Sequence, residues 1–316
     1  MRFGVILDNS ASLSSVTDQL RDLRAHSLDA AWCSQTVGYD TLTLLTALGG
    51  RVPDIELMAA VVPTYPRHPI ALASQALTAQ ACVGHRLTLG VGVSHRSIVE
   101  GRYGLSYDRP VRHLREYVTA LAPLLEGRRV SFRGETLFAA TVGPVGTPAP
   151  APRLLVAALG ARMLDVAGSL SDGAITWLAG PRTLASHIAP RLVAAAQEAD
   201  RPAPSLAVGL PLCVTDEPAA ARREADRRYA AYARMPAYRA VLDREDVAGP
   251  SDVTIVGTED DVEEQLAALA TLGVTDFGAE LIGNEEERHR GLTLLARLAR
   301  PARKEHGDRV TGGAHG

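Results

Sequence analysis

Lysine is nearly missing from this chain. Of its 33 basic residues only Lys304 is a lysine, and it lies in a polar tail, so Schiff-base chemistry on a pocket lysine is excluded. Cysteine is scarce too. Cys33, Cys82 and Cys213 are odd in number and far apart, which rules out a disulfide framework and a CxxC metal pair and fits a reducing cytoplasm. No apolar run reaches the roughly 18 residues a membrane span needs. The formal charge of −3 gives no reason to expect nucleic acid or an anionic membrane as partner. GxGxxG, Walker A, HExxH and GxSxG are all absent, and the nine histidines form no ligand set with a carboxylate, so no metal is implied.

The chain does hold 316 residues, 46% of them hydrophobic, enough for a large single core. Short apolar segments alternate with stretches of helical period. Residues 2–8, 30–35, 56–63, 86–94, 153–159, 173–179, 206–215 and 275–282 read as strands. Met1 to Asn9 therefore reads as a strand and not as a signal peptide. Asp40 is placed to cap a helix, and Pro69 to open one. Val111, Leu114, Val118, Leu121 and Leu125 mark one helical face; Val262, Leu266, Leu269 and Leu272 mark another. Eight apolar strands, each followed by a helix, predict an α/β fold, a single (β/α)8 barrel of the TIM type over residues 1–300. The rhythm breaks twice, near 128–152, where VSFRGETLFAA reads as a hairpin, and over 235–251, which reads as polar and irregular. Residues 301–316 read as a disordered tail.

In such a barrel the chemistry belongs at the C-terminal strand ends. Those positions include Asp8, Asn9, Ser34, Gln35, Val62 to Thr64, Ser94, His95, Leu159, Gly160, Thr176, Trp177, Cys213 to Thr215 and Glu280. The turn Leu159–Gly160–Ala161–Arg162 ends a strand and opens a helix. Its free amides would suit a phosphate, or the glycine would merely make a tight turn. The acidic run Glu259–Glu264 and the basic run Arg222–Arg228 read as solvated helix faces.

Taken together, FGVILD at the start, PTYPRHPIALASQALTAQ at 63–80, GHRLTLGVGVSH at 84–95, LVAALGARMLDVAGSLSDGAITW at 155–177 and GTEDDVEEQLAALATLGVTDF at 257–277 resemble the bacterial-luciferase-like superfamily. They look most like its actinobacterial branch of oxidoreductases dependent on the deazaflavin coenzyme F420. The resemblance implies a barrel with insertions, usually dimeric, with F420 bound at the C-terminal strand ends. It implies a non-prolyl cis peptide at Ala60–Val61 against the deazaflavin ring. It also implies a phosphate site at Gly160 and Ala161 with Met163 and Leu164, and backbone contacts from Val93 and Ser94. His95 stands where some relatives carry a catalytic glutamate, and can serve as acid or base. After the second strand, relatives often carry an Asp–His pair. Here Gln35 and Thr36 replace it; Gln35 can still hydrogen-bond the ring, but Thr36 cannot shuttle a proton. His68 is expected to be structural, capping the helix that begins at Pro69.

The expected function is hydride transfer between C5 of F420 and a small organic substrate, in the direction of reducing an activated C=C or C=N bond. Alternatives are an FMN-dependent monooxygenase of the same superfamily and a non-catalytic cofactor-binding barrel. A cytoplasmic homodimer is expected.

Overall fold

The computed structural model describes residues 1–35 and 38–307, with residues 300–307 as backbone alone. Eight parallel strands form the barrel: β1 (Arg2–Ile6), β2 (Ala30–Cys33), β3 (Glu56–Pro63), β4 (Leu87–Gly92), β5 (Arg153–Ala157), β6 (Gly173–Trp177), β7 (Ser205–Val214) and β8 (Asp276–Leu281). Each pairs with the next, and β8 pairs with β1, so the ring is closed. Closure gives every barrel strand a neighbour on both sides and two buried faces, which explains their nearly unbroken apolar sequences.

Helices cover the outside: α1 (Leu13–Ala25), α2 (Thr41–Gly49), α3 (Pro69–Cys82), α4 (Arg96–Tyr103), α5 (Pro110–Leu125), α6 (Ala161–Leu170), α7 (Ala189–Glu198), α8 (Pro218–Ala233), α9 (Pro236–Glu245), α10 (Glu259–Thr271) and α11 (Glu285–Gly307). A short helical turn, Pro181–Thr183, and a π-helical turn, Leu184–Ile188, lead into α7. Their starts follow local chemistry. Asp40 accepts the Thr43 amide at 3.0 Å, and His68 accepts the Ile70 amide at 3.3 Å ahead of Pro69. His68 also holds the Phe138 carbonyl at 2.8 Å, pinning the hairpin Ser131–Arg133 and Phe138–Ala140. Thr258 and Asp261 form a reciprocal cap on α10, whose first turn is the acidic run Glu259–Asp261.

Three expectations need correction. Residues 235–251 are not irregular: Pro236–Glu245 is a helix, opened by a proline at its first turn and closed by Asp246 in a left-handed conformation. A ninth strand, Ile255–Gly257, pairs with the upper end of β7, which at ten residues outruns β6 and leaves Leu212–Val214 free to pair. The last helix continues through Pro301 to Gly307. Residues 308–316 of the expected tail lie outside the described residues.

Strand alternation sorts the barrel interior into layers. At the bottom Asp276, 2% exposed, takes Arg153 at 3.0 Å through both guanidinium nitrogens and also Arg2, which reaches Glu56 at 2.5 Å. Burial would raise the Asp276 carboxyl, but the Arg153 hydrogen bonds and the Arg2 charge outweigh it and hold it below the usual range. In the middle, Ala30, Trp32, Met58, Leu155, Ile175 and Ala207 pack as one cluster. Trp32 fits because its neighbours lack side chains: a Cβ on Gly278 would lie 2.5 Å from the indole, and one on Gly4 2.7 Å.

Gly278→Ala should therefore lower the unfolding free energy by about 1–3 kcal/mol through overpacking, and Trp32→Phe should relieve part of that loss in the double variant, measured by urea unfolding. Asp276→Asn should cost about 1–3 kcal/mol at pH 7, because the part-exposed Arg153 and Arg2 lose their charged acceptor while Arg2 keeps Glu56. Because the folded carboxyl is depressed, the native contribution is present above its unfolded pKa and lost as pH falls through the folded value. The penalty should thus shrink below about pH 4 in the same unfolding assay.

Candidate active site

Above the tryptophan layer the interior changes character. Ile6, Ala60, Val61, Ala157, Trp177 and Glu280 are only half-buried, so the barrel opens here. The Ala60–Val61 peptide is cis, and pairing of β3 with β4 shifts register between Ala59 and Val62. Val61 then lies across β4, where a Cβ on Gly92 would come 2.9 Å from Ala157 and 3.1 Å from Val61. Small residues on β3, β4 and β5 thus form a flat seat. Ser94 and Leu178 turn the chain sharply after β4 and β6 with φ of 59° and 56°, which ends those strands earlier than their apolar sequences suggest.

His95 follows Ser94 at the head of α4 and makes no capping hydrogen bond. Its ring lies 5.6 Å from that of Tyr238. Burial lowers its pKa, so the imidazole is predominantly neutral at pH 7. Tyr238 belongs to α9 and meets Tyr232 of α8 edge-on at 5.0 Å; Tyr232 and Tyr229 in turn flank Trp177 at 6.4 and 5.7 Å. The two helices lay this aromatic series over one side of the mouth. Beside it Arg228 reaches Glu280 at 2.7 Å. Asp8, just past the neighbouring strand β1, is held below the usual carboxylate range by its Ser10 hydrogen bonds and aided by the Arg228 charge.

At the end of β5, Gly160 heads α6. The amides of Met163 and Leu164 both turn back to the Gly160 carbonyl at 3.0 Å, which leaves those of Ala161 and Arg162 as the free donors of the first turn. Nothing lies within 4 Å of a Cβ built on Gly160, so the turn is open. Across the mouth, Gln35 donates to Asp40 at 3.2 Å, while its own Oε1 is buried with no donor.

A separate recess of about 480 Å³ lies outside the β3 end, between the β3–α3 loop, the α4–α5 loop and the hairpin. Its wall stacks Tyr65 on His113 at 4.0 Å, and His113 meets Thr64 at 3.0 Å. Burial pushes His113 down to about 4 despite the Glu116 charge, so it stays neutral there. The recess holds neither the seat nor the open helix start, and the mouth is the stronger candidate.

The model for luciferase-like monooxygenases matches residues 1–276. The chain belongs to this family. Among curated relatives, an uncharacterized Mycobacterium tuberculosis protein is 27% identical over 246 residues, 73% of this chain and 72% of its own. A 5,10-methylenetetrahydromethanopterin reductase of Methanolobus tindarius is 23% identical over 91% of this chain and 97% of its own. The solved coenzyme F420-dependent tetrahydromethanopterin reductase of Methanopyrus kandleri superposes with TM-score 0.81, at 19% identity, over 95% and 99% of the two chains. An FMN-bound Baeyer–Villiger monooxygenase component of Pseudomonas putida superposes at 0.71, with 16% identity over 95% and 98%.

In this luciferase-like barrel the structure brings together Gln35, Ala60, Val61, Val93, Ser94, His95, Gly160 and Ala161, all at C-terminal strand ends. Leu164 is a correction: its side chain is fully buried in the core and its amide is already bonded, so it offers a ligand nothing. The Met163 amide is committed likewise. Thr36 lies outside the described residues. Arg228, expected on a solvated face, meets Glu280 here, and Tyr229, Tyr232 and Tyr238 join the mouth without having been expected there. The available signal was density: three of the eight tyrosines fall within ten residues of a chain that is 4% aromatic.

Tyr238→Ala should expose His95 and raise its titration midpoint toward the ordinary value near 6.5, read from the imidazole carbon signal by NMR.

Proposed function

We propose that this protein is an F420-dependent oxidoreductase that reduces an activated C=C or C=N bond of a small organic substrate. The observation that carries the reading is the pairing, in one mouth, of a flat small-residue seat with an open helix start at Gly160. A planar ring system bearing a phosphorylated side chain needs both. The residues fit such a group. Ala60, Val61, Gly92 and Ala157 would lie against the ring, the unpartnered Gln35 Oε1 would take a ring N–H, and the Ala161 and Arg162 amides would take the phosphate. When bound, reduced F420 supplies the hydride and therefore both electrons.

The remaining proton falls to the chain. His95 lies at the mouth and is neutral at pH 7, so it must first gain a proton from solvent before it can donate one to substrate. Reduction should thus speed up as pH falls toward the His95 midpoint, below 6.5, and the reverse oxidation should slow. The aromatic series from α8 and α9 keeps water off the seat. The family description, and the FMN held by the Pseudomonas neighbour, favour a second reading as an FMN-dependent monooxygenase.

Parallel fluorescence titrations with F420 and FMN separate the two readings: F420 should bind and FMN should not. Gly160→Asp should weaken F420 binding by about tenfold or more through like-charge repulsion at the helix start. The same change should barely affect a deazaflavin nucleoside lacking the phosphate. His95→Ala should cut substrate reduction by about 10²–10⁴-fold and leave F420 affinity in place.

A further inference from the structure

The mouth has two chemically different ends. The Gly160 end offers free backbone donors and the open helix start. The other end, from β6 round to β8, is lined by the faces and edges of Trp177, Tyr232 and Tyr238, with His95 beside them. Its charges are Glu280 and Asp8 against the single guanidinium of Arg228, which Glu280 already holds at 2.7 Å. An anionic ligand here would meet an excess of negative charge and no free cation among these residues. Among the buried polar groups without a partner at this end are the Tyr229 hydroxyl and the Trp177 indole N–H, of which only the indole can do nothing but donate. The Trp177 indole N–H is buried without an acceptor, and Tyr229 and Tyr232 hold the ring edge-on. A buried donor of this kind calls for an acceptor from a ligand.

We infer that the substrate end of this mouth takes a planar, uncharged conjugated carbonyl compound, stacked along Tyr232 and Tyr238 with its carbonyl oxygen accepting the Trp177 indole proton. The inference rests on the proposed function for its setting and names the substrate class of that site. The aromatic surfaces supply area and geometry for a flat π-system. The indole supplies direction, since only a ligand with an acceptor beyond the ring edge satisfies it. The Glu280–Arg228 pair supplies selection, because its net neutrality leaves Asp8 to repel carboxylates and phosphates.

The test is calorimetric titration of the full chain, without cofactor and again with saturating F420, using coumarin, coumarin-3-carboxylate and glucose 6-phosphate. Coumarin should bind saturably in at least one of the two states. The carboxylate should bind at least about tenfold more weakly, and the sugar phosphate should give no heat. Tyr232→Ala and Trp177→Phe should each weaken coumarin by about fivefold or more, whereas Tyr232→Phe, which keeps the ring and controls for folding, should not. Glu280→Gln frees Arg228 and should narrow the gap between coumarin and its carboxylate. The inference is overturned if coumarin binds in neither state or the anions bind as tightly as coumarin. It is equally overturned if coumarin binding is indifferent to both Tyr232→Ala and Trp177→Phe. Coumarin binding without F420 affinity would instead fail the proposed cofactor and leave this assignment intact.

Discussion

The upper end of the barrel is usable because the middle is full. Trp32, seated where Gly4 and Gly278 have no side chains, closes the interior to anything from below. The polar layer beneath it, built on Asp276, Arg153 and Arg2, ties β1, β5 and β8 together at the N-terminal strand ends. A ligand can therefore enter only from the C-terminal end, and what it meets there is a floor and not a channel. The residues just above that floor are small on β3, β4 and β5 and large on β6 and β8, which makes the mouth lopsided.

The lopsidedness has an electrostatic counterpart. One wall ends in a helix start, with unspent backbone donors and the positive end of a helix dipole. The other ends in Glu280 and Asp8, tempered by one arginine. A cofactor with an anionic tail and a substrate without charge would sort themselves between these walls with no further device. Between them stands His95, which α9 partly covers through Tyr238. The helices that shape the substrate wall also set the polarity around the group best placed to move a proton.

Much of this was legible from local pattern. Strand and helix order, the caps at Asp40 and His68, and the strand-end position of Gly160 all depend on residues within a few places of one another. Conformation at that range follows from hydrogen bonding and sterics that the sequence states directly. The helix Pro236–Glu245 was misread as irregular because its polar residues give it little apolar period; tertiary packing of Val241 and Leu242 makes it a helix. Leu164 joins the expected phosphate site only through the family resemblance. Only the direction of its side chain, into the core, removes it.

The sequence by itself determined the units: eight apolar strands, the helices between them, and the turns where chemistry could be placed. It did so because those features are set by short-range periodicity and turn chemistry. The tertiary structure alone decided that Trp32 would be the floor, that Arg228 would meet Glu280 and not only solvent, and that Tyr238 of α9 would arrive beside His95. Period-two alternation says which residues share a face, but not which face lies inside. That is fixed only when β8 pairs with β1 and the ring closes, bringing together groups that stand 52 (Arg228 and Glu280) to 274 (Arg2 and Asp276) places apart in the chain.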